Sequence, residues 1–159
     1  MSILIAYASK YGCTEKCAGI LSKKLNEKAE LCNLKACKTV DLKQYDKIII
    51  GGSIYAGRIQ KEVTQFCSNN MDILKSKKLG FFICGMQEGD AAQKEINASF
   101  PEELMSRAFI RECFGGEFKF SKMNMMERFI VKKIAKTDKD LSNIIESNIE
   151  KFAQATNNA

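Results

Sequence analysis

The sequence predicts an α/β fold, a parallel sheet covered by helices on both faces. Apolar runs alternate with helical patterns along the chain, in the order β-α-β-loop-β-α-β-α-β-α. The runs are continuously apolar rather than alternating, as strands buried on both sides are. Three of the runs end in segments rich in glycine or hydroxyl residues, the punctuation expected where strands turn into helices.

The first strand is read at residues 2–8, where Ile3 to Ala8 is apolar but too short for the core of a signal peptide. Residues 13–28 carry Cys17, Ile20, Leu21 and Leu25 on one helical face. A short strand follows at 30–34, and Asp46 to Gly52 reads as a strand with an abrupt glycine stop. Residues 60–70 read as a helix and 78–85 as a buried strand. Helices are expected at 91–98 and 101–107, broken by the chain's one proline, Pro101. Residues 108–118, with Gly115-Gly116, read as a strand. Helices at about 122–136 and 138–155 close the chain, and 156–159 is expected to fray. No linker, repeat or low-complexity segment divides the sequence, so 1–159 is expected to be a single domain.

Composition narrows the chemistry. The seven cysteines are scattered, none in a C-x-x-C pair, and the chain has no histidine. A disulfide framework and a structural zinc site are not expected, and a histidine-based triad is excluded. No apolar run reaches membrane-spanning length. Free thiols and the lack of a signal peptide point to the cytoplasm. The net charge of +6 permits attraction to an anionic surface, while a solvated lysine-rich exterior accounts for most of it. No nucleic-acid partner is expected.

In open α/β sheets ligands bind beyond the carboxyl ends of the strands. Three segments occupy such positions: Ser9-Lys10-Tyr11-Gly12-Cys13-Thr14, Gly51 to Arg58, and Cys84 to Asp90. The first joins a strand to a helix, where unpaired backbone N–H groups and the helix dipole favour an anion. Ser9 and Thr14 add hydroxyl donors and Gly12 permits close approach. No G-x-G-x-x-G follows the first strand and no G-x-x-x-x-G-K-[ST] is present, which argues against dinucleotide and P-loop sites. Ser9 and Gly51 stand where a phosphoryl-accepting receiver would carry acids. Cys13 at a helix N-terminus has the position of a low-pKa nucleophile. The arginine that a cysteine phosphatase wants about five residues on is missing, which favours Cys13 as a spacer in the loop over Cys13 as a nucleophile. No catalytic residue or metal ligand is assigned.

Ser9-x-Tyr11-Gly12-x-Thr14 after a first strand resembles the phosphate loop of flavodoxins, T/S-x-T-G-x-T, and Gly51-Gly52-Ser53-Ile54-Tyr55-Ala56-Gly57 resembles their second flavin loop. The resemblance covers nearly the whole chain. It implies a three-layer sandwich with a five-stranded parallel sheet of order 2-1-3-4-5, and non-covalently bound FMN. It further implies that Ser9, Tyr11, Gly12, Cys13 and Thr14 hold the phosphate, with Lys10 also among the cofactor-binding residues. By the same resemblance, Ser53, Ile54, Tyr55, Ala56 and Gly57, with Cys84, Gly85, Met86, Gln87 and Gly89, are expected to enclose the ring. Tyr11 departs from the usual hydroxyl-bearing threonine. Tyr55 has the shape either to stack on the ring or to stand as a plain surface aromatic.

Gly51-x-Ser53-Ile54-x-x-Gly57, with Met126 to Lys132, is also similar to the menaquinone-dependent, oxygen-independent protoporphyrinogen oxidases. That resemblance implies a porphyrinogen and a quinone as substrates. The broader one implies electron transfer with redox-partner proteins. A flavin-free module that binds an anionic partner is the reading from another class. The 122–139 segment bears on the choice. Its helical wheel puts Met123, Met126, Ile130 and Ile134 toward the core, with Met125 and Phe129 outside that stripe among basic residues. Two readings stand: an ordinary helix with a wide buried face, and a basic helix in peripheral contact with an anionic membrane.

Overall fold

The computed structural model describes residues 2–37, 39–118 and 141–159, together with Met125, Met126 and Phe129. The strands are β1 (Ile3–Tyr7), β2 (Ala29–Asn33), β3 (Lys47–Tyr55), β4 (Arg58–Ile59), β5 (Lys78–Cys84), β6 (Ala108–Cys113), β7 (Gly115–Phe118) and β8 (Leu141–Ile144). The helices are α1 (Cys13–Lys24), α2 (Lys61–Asn69), α3 (Met71–Leu74), α4 (Gly89–Ser99), α5 (Glu102–Met105) and α6 (Glu146–Asn158). Five strands pair in parallel in the order β2-β1-β3-β5-β6. With the hairpin strand β4 set aside, this is the expected order.

The apolar strands divide their side chains between two cores, as the period of two requires. On one face Leu4, Ala6, Ile48, Ile50, Phe81 and Ile83 meet residues of α2 to α5, among them Val63, Leu74, Ile96 and Leu104. On the other, Ile3, Ile5, Tyr7, Ile49, Phe82 and Cys84 meet α1 and α6 through Cys17, Leu21, Ile149 and Phe152. The three layers follow from this division.

One charge is buried at the edge opposite the three loops. Lys47 opens β3 at 1% exposure and donates to the Thr156 carbonyl at 2.9 Å and to Glu27 at 3.1 Å. These bonds tie the end of α6 to the sheet. Thr156 is fully buried and the helix runs to Asn158, so the expected fraying of 156–159 does not occur.

The glycine stop after residue 52 is the main correction. β3 runs on through Gly51 and Gly52 to Tyr55. A Cβ on Gly51 would stand 2.1 Å from Phe82 Cζ, and one on Gly52 would stand 2.7 Å from Ile59 Cγ1. The two glycines make room for neighbours rather than ending the strand. β3 then folds back as β4, with Ile54 opposite Ile59 and Tyr55 opposite Arg58. The turn residues Ala56 and Gly57 carry φ of 52° and 78°, the pair of positive values that a type I′ hairpin requires.

Smaller differences lie elsewhere. The helix expected over 13–28 ends at Lys24, where Leu25 turns extended. The expected strand 108–118 is split at Phe114 into β6 and β7. Residues 141–144 form β8, antiparallel to β7, and helix begins only at Glu146. Most of the helix expected at 122–136 lies outside the described residues, as do Met123, Ile130 and Ile134. Met126, placed on its core stripe, is 75% exposed, beside Met125 at 87% and Phe129 at 67%. Among the described residues no helix is long and apolar enough to cross a membrane.

Two substitutions test this packing. Gly51→Ala forces its methyl into the Phe82 ring, and urea unfolding is expected to show a loss of about 1–3 kcal/mol. Ala56→Asn gives the hairpin the Asn-Gly pair that tolerates positive φ, and is expected to gain about 0.5–1 kcal/mol. An unchanged midpoint in either variant contradicts the corresponding account.

Candidate functional site

The three loops lie together at the carboxyl edge of the sheet. β1 ends at Tyr7, and the chain passes through Ala8–Tyr11 to Gly12, which caps α1 with a left-handed backbone (φ 94°). The Gly12 N–H donates to Ser9 Oγ at 3.0 Å, so the Ser9 hydroxyl keeps its own proton to give. The first intrahelical bond runs from the Lys16 N–H to the Gly12 carbonyl. By helix geometry the N–H groups of Cys13, Thr14 and Glu15 have no acceptor within the helix. Thr14 is fully buried, and its Oγ1 has no hydrogen-bond partner. A buried hydroxyl at the positive end of a helix suits an anion that brings its own acceptors.

Beside this loop is a cleft lined by Lys10, Tyr11, Cys13, Ser53, Ile54, Tyr55, Cys84, Gly85, Met86, Gly116 and Glu117. The Lys10 ammonium sits over the Tyr55 ring, 3.5 Å from its centroid, and Tyr11 meets Tyr55 edge-on at 6.2 Å. Lys10, Ser53 and Tyr55 also line an adjoining hollow with Arg58, Ile59 and Gln60. Gln60 holds the hairpin, accepting from the Ser53 N–H at 3.0 Å and donating to Ser53 Oγ.

Nine of the sixteen expected residues therefore share the cleft wall. Ser9, Gly12 and Thr14 form the loop and first turn beside it, and Ala56 and Gly57 form the exposed hairpin tip. Gln87 and Gly89 line a different hollow, with Glu112, Cys113 and Asn148, so the third loop contributes to the cleft only through Cys84, Gly85 and Met86.

Gly116 and Glu117 were not anticipated. β7 carries them in, paired with β8 and anchored by the Gly85 N–H donating to the Gly115 carbonyl at 2.9 Å. A Cβ on Gly116 would stand 2.7 Å from Met86 Sδ, so that glycine is what lets β7 approach the third loop. The Gly115-Gly116 pair was the available signal. Glu117 pairs with Lys16 of α1 at 3.5 Å. Under the third loop Glu95 of α4 has a buried carboxylate oxygen without a partner, and burial pushes its pKa up.

The floor of the cleft is sulfur. Cys13, Cys17 and Cys84 are buried, and their Sγ atoms lie within 4.8 Å of one another. The Cys17 and Cys84 thiols hydrogen-bond to Cys13, with help from the Glu117 N–H and the nearby Lys16 charge, and hold the Cys13 pKa down. Cys17 and Cys84 are pushed up, first by hydrogen bonding to Cys13. Of the three thiols, Cys13 is therefore the one whose pKa is lowered. Tyr7, beside them in the same core, has its pKa raised by burial and by Glu15.

Comparison with known proteins agrees with this architecture. Residues 4–144 match the family described as the flavodoxin domain. No curated protein matches the chain. Among solved structures, the chain is similar to two-electron reduced Megasphaera elsdenii flavodoxin, with a TM-score of 0.60, 16% identity and 99% of each chain covered. A short-chain flavodoxin associated with a non-canonical PDU bacterial microcompartment gives 0.61 at 14% identity, over 98% of this chain and 95% of that one. Against the rubredoxin oxygen:oxidoreductase of Desulfovibrio gigas the TM-score is 0.52 at 15% identity. There 99% of this chain spans 37% of the longer one. At these identities the structural likeness speaks for the fold, and the match over residues 4–144 speaks for the family: the chain belongs to the flavodoxin domain family.

Proposed function

We propose that this protein binds FMN at the carboxyl edge of its sheet and passes electrons through it to redox-partner proteins. The observation that carries the reading is the buried, unpartnered Thr14 hydroxyl at the N-terminus of α1, beside a cleft assembled from all three strand-end loops. Membership of the flavodoxin domain family supports it. Bound flavin supplies reversible hydride and single-electron chemistry.

The chain's own residues do the rest. The Thr14 hydroxyl, the Ser9 hydroxyl and the first N–H groups of α1 donate to the phosphate. Tyr55 offers a ring face and Tyr11 an edge near it. Lys10 now covers Tyr55, and an exposed cation–π contact is worth only about 0.5–1 kcal/mol. Parting the two to admit a flat ring therefore costs less than stacking and burying that ring returns. Ile54 and Met86 exclude water from one side, and the Gly85 and Gly116 backbones come close to it.

The finer reading, oxidation of a porphyrinogen with a quinone acceptor, is supported by the motif of Gly51, Ser53, Ile54 and Gly57. Its second motif, 126–132, lies mostly outside the described residues. The exposed Met125, Met126 and Phe129 are compatible with a peripheral membrane position for that chemistry.

The purified protein, incubated with FMN and desalted, is expected to retain a flavin absorption spectrum. Thr14→Ala removes one hydrogen bond to a charged group and is expected to weaken FMN binding by roughly 10- to 100-fold. Riboflavin, which has no phosphate, is expected to lose little. Equal loss of both ligands contradicts phosphate binding at this loop, and a protein that stays colourless contradicts the reading as a whole.

A further inference from the structure

The sulfur cluster is more than packing requires. Cys13 and Cys17 are the first and fifth residues of α1, one turn apart, and Cys84 is the last residue of β5. Two elements distant in sequence thus bring three thiols to one point, while the other four cysteines stand elsewhere. A disulfide would use two of the sulfurs and strand the third. A soft cation uses all three.

Three sulfurs bound in a plane at about 2.3 Å from a common centre stand about 4 Å from one another. The observed triangle, within 4.8 Å on every side, contracts to that size by small side-chain rotations. Thiolate donors select soft ions, with monovalent copper and zinc foremost. Zinc asks for a fourth ligand in a tetrahedron. The chain has no histidine, and the carboxylate that lines the same cleft, Glu117, is paired with Lys16.

We propose that Cys13, Cys17 and Cys84 form a three-coordinate sulfur site for a single Cu(I) ion. Cys13 and Cys84 line the cleft and Cys17 lies fully buried behind them, so the ion arrives through the cleft and needs no opening of the core. Binding is ligand exchange without electron transfer. Each thiol that becomes a thiolate ligand releases one proton to solvent, and copper stays monovalent throughout. The positive end of α1 and the Lys16 ammonium lie beside the sulfurs and offset the charge that the thiolates add. The proposal does not rest on the flavin reading, since it uses only sulfur atoms, but Cys13 and Cys84 line the same cleft, so the titration is made on protein freed of any flavin.

The test is anaerobic titration of the reduced, flavin-free protein with Cu(I) in competition with bathocuproine disulfonate. The expected result is one Cu(I) held per chain. Cys17→Ser is expected to lower the affinity at least a hundredfold, and Cys37→Ser, at an exposed thiol, to leave it unchanged. X-ray absorption of the wild-type Cu(I) protein is expected to give three sulfur neighbours. That measurement decides the matter even where Cys17→Ser fails to fold. Wild-type affinity in a folded Cys17→Ser, or two-coordinate or oxygen-ligated copper in the wild type, overturns the proposal.

Discussion

Phe82 lying over Gly51 is the contact on which the rest of this structure depends. The ring occupies the space where a side chain on the central strand would be. From there it stacks on Phe114 at 4.6 Å and meets Phe152 of α6 edge-on at 6.1 Å. Each of these neighbours leads to the site. Gly51 lets β3 continue into the hairpin that carries Ser53, Ile54 and Tyr55. Phe114 accepts from the Ile145 N–H and sits at the junction where β6 gives way to β7, which delivers Gly116 and Glu117. One fully buried aromatic cluster therefore fixes two of the walls of the cleft, and α1 supplies another from the same core.

The sequence was most legible where burial alone decides structure. The five parallel strands and the helices α1, α2 and α4 follow from apolar runs and helical spacing, while the strand order came from the resemblance to flavodoxins. It was least legible where a residue's role is set by a partner far away in the chain. Gly51-Gly52 has the local signature of a stop, and only Phe82 and Ile59 reveal it as clearance. Leu141 to Ile144 continues a helical pattern locally and becomes a strand because β7 offers it a pairing edge. The Ser9–Thr14 turn from β1 into α1 was readable because a helix N-terminus, a glycine and two hydroxyls are all local features. Glu117, brought in by the β7–β8 pairing, and the meeting of Cys84 with Cys13 and Cys17 were not.

Electrostatics gives the carboxyl edge its character. The net charge is +6, and at this edge the Lys10 ammonium is joined by donors that do not titrate near neutrality, the backbone N–H groups of α1 and the Ser9 and Thr14 hydroxyls. Such donors keep their strength across the physiological pH range, which suits the binding of an anion that remains charged throughout it. The thiol cluster under the cleft is the contrasting feature, with the Cys13 pKa lowered by its two sulfur neighbours. Lys16 stands at the boundary, paired with Glu117 and close enough to Cys13 to help lower its pKa. The opposite edge is closed by the buried Lys47 and its bonds to Glu27 and Thr156.

The central claim is that all three loops grip one flavin phosphate ester. An amide-resolved NMR titration of the protein with FMN tests it most directly. The account predicts the largest shifts at Gly12 to Glu15, at Ser53 to Gly57, at Gly85 and Met86, and at Gly116 and Glu117, with little change at Lys28, Asp46 and Lys78 on the far edge. Shifts confined to that far edge, or none at a saturating FMN concentration, would contradict it.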